Sequence, residues 1–285
     1  MKLALVLPGG GACGRWQAGV ISYLQELGLK FDLVCGTSVG GLNTLAVAKG
    51  GNVSELWAQI KSDKDVYEGM LQFNSFFDFL GMAGQIFNSN KGKSILKPTG
   101  LYKLLDREFG GLVMSDLKVP VKITATDLNA GERYVFDSML TPSMNCGIIA
   151  KATSAIPLAF PAVDFTPALF VDGGLGRNNP VEVAVKAGAT HIILIGTSPD
   201  VYPAKTVKNN VLDIALRMQD IIMHVFEEEA WDSMDKHNGP VKFLDLYPKE
   251  STGSALKFNN VEQFDKGKNF ALMNLSPEKM SEFLK

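Results

Sequence analysis

The chain has 285 residues, 46% hydrophobic and 20% charged, which supplies one large core without a disulfide or metal staple and excludes wholesale disorder. Its 28 Lys and Arg against 30 Asp and Glu leave a net charge of −2, without the basic excess by which a nucleic-acid binder neutralises phosphates. Cys13, Cys35 and Cys146 are too few, and odd in number, for a disulfide framework, so a reducing, cytoplasmic setting is the default.

Met1–Leu7 is a short apolar run that meets Pro8 and Gly9-Gly10-Gly11 with no cleavage pattern behind it, so it reads as a buried first strand rather than a signal peptide. Arg15–Leu27 reads as a helix, Phe31–Cys35 as a second strand, and Ser38–Lys49 as a helix closed by Gly50-Gly51. Residues 67–94 carry Phe73, Phe76, Phe77, Phe79, Leu80, Met82, Ile86 and Phe87 with few charges. Such a stretch either packs as helix on the sheet or forms a lid or lipid-facing flap over about residues 65–100. Strands follow at Val119–Thr126, Leu169–Val171 and His191–Gly196. Asn179-Pro180 reads as a cap and first helical proline opening a helix to Ala187. Val211–Met234 has the pattern of a long amphipathic helix, and Val241–Leu246 that of a late strand. Strands alternating with helices predict an α/β fold with a mostly parallel central sheet flanked by helices. With no repeat, low-complexity tract or linker, the expectation is one domain over 1–285: a core to about 200, then C-terminal helices and the late strand. No uninterrupted apolar stretch has the ~18–20 residues of a membrane-spanning helix, so any membrane contact is expected to be peripheral.

Two glycine-rich turns carry the chemistry. Gly36-Thr37-Ser38-Val39-Gly40 lies directly after a strand and before a helix. A serine on such a sharp turn needs small flanks, and the turn lifts its Oγ above the sheet at a helix N-terminus, which favours a nucleophile. Gly9-Gly10-Gly11-Ala12-Cys13-Gly14 occupies the corresponding turn after the first strand. It fits a dinucleotide loop, with Asp32 as the ribose contact, but Asp32 falls at the start of the second strand rather than its far end. The other reading, and the better one, is that the N–H groups of Gly10, Gly11 and Ala12 face a developing oxyanion.

Ser38 needs a base. His191 starts a strand and is expected at the opposite sheet edge, His224 lies within the long helix, and His237 precedes the Asn238-Gly239-Pro240 turn. A triad through His224 or His237 is possible but poorly placed. Asp172, followed by Gly173-Gly174, ends an apolar strand on the edge expected for Ser38. Asp127 has a similar address but leads into a Leu128-Asn129 turn. A partly desolvated aspartate in hydrogen-bond reach can serve a serine as base, and Asp172 is favoured. No Cys or His pair has metal-ligand spacing, and Glu227-Glu228-Glu229 reads as a solvated helix face.

Together the loop Gly9–Gly14, the elbow Gly36–Gly40 and Asp172-Gly173-Gly174, accompanied by Ala152–Pro157 running to Phe160-Pro161 and by the stretch from Asp172 to Ala189, resemble the patatin-like phospholipase family. The likeness spans roughly residues 1–50 and 120–200. It implies a three-layer α/β sandwich and a calcium-independent serine acyl hydrolase with no cofactor and no catalytic histidine. Ser38 would be the nucleophile, Asp172 its base, and Gly10–Ala12 the oxyanion hole. The substrates would be phospholipids or other acyl-ester lipids met at a membrane surface. The family loop commonly has Lys or Arg before its last glycine, where this chain has Cys13; Arg15, two positions on, could substitute. The alternative is a weakly catalytic or non-catalytic lipid- or nucleotide-binding module using the same crevice.

Overall fold

In the computed structural model, which describes residues 1–68, 94, 96–199, 207, 214, 217, 218, 221 and 241–285, the apolar run Leu3–Leu7 forms strand β1, buried at all 5 positions. A strand buried on both faces needs no polar alternation, because helices cover the sheet on either side. Leu3, Leu5 and Leu7 point into a large core, while Ala4 and Val6 point into a smaller one, as the two-residue period of a strand dictates.

β2 (Leu33–Thr37) and β7 (His191–Ile195) flank β1 in parallel, and β8 (Lys242–Leu246) continues the sheet beyond β7. On the other side, β3 (Val121–Asp127) runs parallel to β2, whereas β4 (Glu132–Asp137), β5 (Val163–Phe165) and β6 (Ala168–Asp172) are antiparallel to their neighbours. The sheet of 8 strands is therefore mixed, more so than the alternation of elements suggests. The added strands are two hairpins, β3–β4 and β5–β6, whose short tight turns break the strand–helix rhythm.

The register around β3 matters most. β4 pairs with it from Lys122 to Asp127 and fills one edge. The other edge is divided: β2 pairs with Val121–Thr124 and β6 with Ala125–Asp127. Because β6 runs against β2, the carboxyl ends of the two strands meet head to head, with Asp172 opposite Ala125 one step beyond Thr37 opposite Thr124.

On the larger core lie α1 (Gly14–Glu26), α2 (Val39–Ala48), α3 (Val53–Ala58), α4 (Thr99–Phe109) and α5 (Cys146–Thr153). The opposite face carries α6 (Val181–Lys186). Pro180 stands at the cap of α6 rather than inside it, and Asn179 Oδ1 accepts from the Val181 N–H. The late strand leads to α7 (Gln263–Asn274) and α8 (Pro277–Phe283). The three cysteines are buried and form no disulfide, and among the described residues no helix is long and apolar enough to cross a membrane. Of the helix expected over 211–234, only Ile214, Arg217, Met218 and Ile221 are described, each helical. Residues 69–93 with their phenylalanines, His224, His237 and Glu227–Glu229 lie outside the described residues.

α7 is seated on α1 by backbone contact. A Cβ on Gly19 would fall 2.0 Å from the Phe264 carbonyl oxygen, and one on Gly267 would fall 2.0 Å from that of Trp16. Gly267→Val is therefore expected to destabilise the protein by about 1–3 kcal/mol, the usual cost of overpacking, read as a lower urea midpoint. An unchanged midpoint would mean that this crossing contributes little.

Candidate active site

Ser38 sits between β2 and α2 with φ 55° and ψ −127°, a strained left-handed conformation for a non-glycine residue. Its surroundings enforce the turn. A Cβ on Gly40 would lie 1.9 Å from the Leu7 carbonyl oxygen, and one on Gly9 would lie 2.8 Å from Ser38 Cβ. The glycine loop and the elbow thus touch backbone to backbone. The Ser38 N–H donates to Thr153 Oγ1 at 2.8 Å, and Thr153 Oγ1 donates to the Thr124 carbonyl at 2.7 Å, which fixes the elbow to β3.

Ser38 Oγ donates to Asp172 Oδ2 at 2.6 Å, and Asp172 Oδ1 accepts the Gly174 N–H at 2.8 Å. Both side chains are buried, with Ser38 6% and Asp172 2% exposed. Burial lifts the Asp172 carboxyl to about 6, against the two hydrogen bonds, which pull it down. A strand parallel to β2 would bring its own carboxyl end to the edge that carries Ser38. The strand of Asp172 is antiparallel, and it is the divided edge of β3 that brings the two residues together.

Of the other candidate bases, Asp127 accepts from the Asn129 and Leu169 N–H groups and so serves its turn. His191 pairs with Leu3 at the far end of the sheet and packs on Phe283. Asp32 accepts the Leu3 N–H at 2.8 Å, at that same far end and away from the glycine loop, which removes its place in a dinucleotide site.

The loop itself is held by residues that sequence reasoning missed. Asn178 clamps Gly9 twice, accepting its N–H at 2.9 Å and donating to its carbonyl at 3.2 Å, and Thr197 Oγ1 donates to the same carbonyl at 2.7 Å. Gln17 bridges the Pro8 and Ile195 carbonyls, accepts from Asn43, and Asn43 accepts from Trp57 Nε1 at 2.8 Å. The expected donor set needs one correction. The Ala12 N–H is already spent on the Ala255 carbonyl at 2.8 Å. Among the described residues, the N–H groups of Gly10 and Gly11 have no partner. Arg15 does not stand in for a basic loop residue either. Its guanidinium turns to the Ile60 and Phe258 carbonyls at 2.5 and 3.3 Å and lies over Trp57. Cys13 Sγ contacts the Gly253 carbonyl at 3.6 Å.

Beside Ser38 and Gly11 opens a cavity of about 470 Å³, counting the part open to solvent. Its walls are aliphatic and aromatic, from α2, α3, α4, the 154–160 loop and Phe258. The second polar side chain, Ser154, donates back to the Ala150 carbonyl at 2.6 Å. Among the described residues, no cluster of His, Cys, Asp or Glu could hold a metal ion.

The site is thus a serine on a strand-to-helix elbow, bonded to a buried carboxylate beside an apolar cavity in an α/β fold. The model of the patatin-like phospholipase family matches residues 5–185, and the chain belongs to that family. It is 30% identical over 190 residues to a cGAMP-activated phospholipase of Pseudomonas aeruginosa, covering 62% of this chain and 53% of that protein. It is also 26% identical over 209 residues to the neuropathy target esterase sws of Drosophila melanogaster, covering 68% of this chain and 13% of the other. The chain thus spans about half of the first relative and a small part of the second. Among solved structures, VipD from Legionella pneumophila aligns over 94% of this chain and 66% of its own, at 14% identity and a TM-score of 0.48.

The raised Asp172 carboxyl has a consequence for stability. Between the ordinary aspartate range and about pH 6, the folded protein keeps a proton that the unfolded chain has released, so the stability gained from that proton is lost as pH rises through about 6. Asp172→Asn carries no such penalty. It is expected to exceed wild type by about 1–3 kcal/mol near pH 8, with the gap shrinking towards acid, in urea melts run across pH. A gap that does not change with pH would show that Asp172 is not a strained buried charge.

Proposed function

We propose that this chain is a serine acyl hydrolase of the phospholipase A or lysophospholipase kind, cleaving lipid acyl esters through Ser38 and Asp172. The observation that carries this reading is the 2.6 Å hydrogen bond from Ser38 Oγ to the buried Asp172 carboxylate, at the wall of an apolar cavity. A carboxylate raised towards neutrality is still ionised at pH 7 yet basic enough to take a hydroxyl proton as the bond to carbon forms.

In this mechanism Ser38 Oγ attacks the ester carbonyl as Asp172 accepts its proton. The carbonyl oxygen becomes an oxyanion received by the N–H groups of Gly10 and Gly11. Collapse expels the alcohol, a lysolipid or glycerol derivative, which takes the proton back from Asp172 and leaves an acyl ester on Ser38. Water then gives a proton to Asp172 and attacks that ester, releasing the fatty acid and restoring the serine. The apolar cavity receives the acyl chain, as its walls of Leu, Ile, Trp and Phe suit a hydrocarbon and little else. No step requires a metal or a cofactor, and the contact with the lipid surface is peripheral and transient.

The test is release of fatty acid from mixed phospholipid vesicles in the presence of a chelator, with and without cGAMP because one relative is described as activated by it. Wild type is expected to release fatty acid, and Ser38→Ala and Asp172→Asn to lose it by about 10³-fold or more. Full activity of either variant, or activity only with added calcium, would overturn the mechanism. Binding of vesicles without any release would favour the binding-module reading.

A further inference from the structure

The match to the family covers residues 5–185, yet the cavity takes a wall from beyond it. Phe258 lines the space next to Ser38 and Gly11 and is 7% exposed. It belongs to a segment, residues 252–260, that lies across the site and is tied to it at several points. Thr252 Oγ1 donates to the Thr197 carbonyl at 2.5 Å, the Ala255 carbonyl accepts the Ala12 N–H, and the Leu256 carbonyl accepts Tyr67 Oη at 2.9 Å. The Phe258 N–H donates to Asp63 Oδ1, and the Phe258 carbonyl accepts from Arg15.

Arg15 gathers three of the cavity's residues. Its guanidinium bonds the carbonyls of Ile60 and Phe258 and stacks 5.0 Å from the Trp57 ring centroid, and all three of these residues line the cavity. A buried cation satisfied by backbone carbonyls and an aromatic face stays charged and holds its partners at fixed separation. With Arg15 itself 4% exposed, it has no access to substrate and acts only through what it holds.

We propose that residues 252–260 form a selectivity strap: Phe258 sets the acyl-chain preference of the site, and Arg15 is the positioning residue that clasps Phe258 to Trp57 and Ile60. This inference rests on the acyl-hydrolase reading above. Among the described residues the rest of the wall comes from the family-matched region, so the strap is the part of the wall that the family match does not cover. It also joins selection to chemistry, because only Leu256 and Lys257 separate Phe258 from Ala255, whose carbonyl holds the oxyanion loop.

The experiment measures kcat/KM for p-nitrophenyl esters from butanoate to palmitate, alongside Ser38 labelling by an alkyl fluorophosphonate. Phe258→Ala is expected to raise the long-chain to short-chain ratio about tenfold, and Phe258→Trp to lower it by a similar factor, the scale at which one apolar pocket wall discriminates. Arg15→Lys, which keeps the charge but loses the fork, is expected to flatten the chain-length profile through KM rather than kcat. Opposite shifts for the two Phe258 variants support the strap. Parallel profiles in all variants, with labelling intact, or a uniform loss of kcat at every chain length, overturn it while leaving the hydrolase reading standing. A wild type that neither turns over any ester nor labels at Ser38 overturns the hydrolase reading, and the strap with it.

Discussion

A short hydrogen bond between two side chains with almost no access to water, Ser38 Oγ and Asp172 Oδ2, sets the terms for the structure around it. Burying a carboxylate is costly, and among the described residues this one is compensated by the serine hydroxyl and one backbone N–H. The cost is visible in its raised pKa. To keep the pair together, the fold brings two strand ends head to head on one edge of β3, ties the Ser38 backbone to Thr153, and excludes side chains from Gly9 and Gly40. In the proposed mechanism, the stability given up in burying this carboxylate is what makes it basic enough to serve Ser38.

The same logic explains the second layer of polar contacts. Asn178, Thr197, Gln17, Asn43 and Thr153 are not reactive and touch no exposed surface of the pocket. Each satisfies backbone or side-chain groups that the glycine loop and elbow would otherwise leave buried and unpaired. Their number reflects how much irregular backbone is packed above the carboxyl ends of β1 and β2. Irregular backbone has no ladder to satisfy it, so side chains from three helices and two loops do so.

Much of this was legible in the sequence, for identifiable reasons. The strands β1, β2 and β7 are largely apolar runs and β3 alternates apolar and polar residues, and both glycine turns sit between a strand and a helical pattern, so Ser38, Asp172 and the loop could be placed without coordinates. What stayed hidden depends on pairing at long range. The antiparallel β5–β6 hairpin has only 3 and 5 residues in its strands, too few for a periodic signal, and its direction decides how Asp172 arrives at Ser38. The Ala12 N–H looked free because its partner, Ala255, lies 243 positions away. Arg15 looked like part of the loop because it is near it in sequence, whereas a helix turn carries its guanidinium to Trp57 and Phe258 instead. Asn178 could have been noticed as a polar residue in a glycine-rich turn, but nothing in its neighbourhood names Gly9 as its partner.

The central claim is that burial makes Asp172 the base that activates Ser38, and the most direct measurement is the rate of fluorophosphonate labelling of Ser38 as a function of pH, with the adduct located by mass spectrometry. The rate is predicted to fall on the acid side with an apparent pKa of about 6, following loss of the carboxylate. Asp172→Asn is predicted to label slowly at every pH, without that limb. Labelling of Ser38 that is equally fast in Asp172→Asn, or that shows no inflection through that range, would contradict the account.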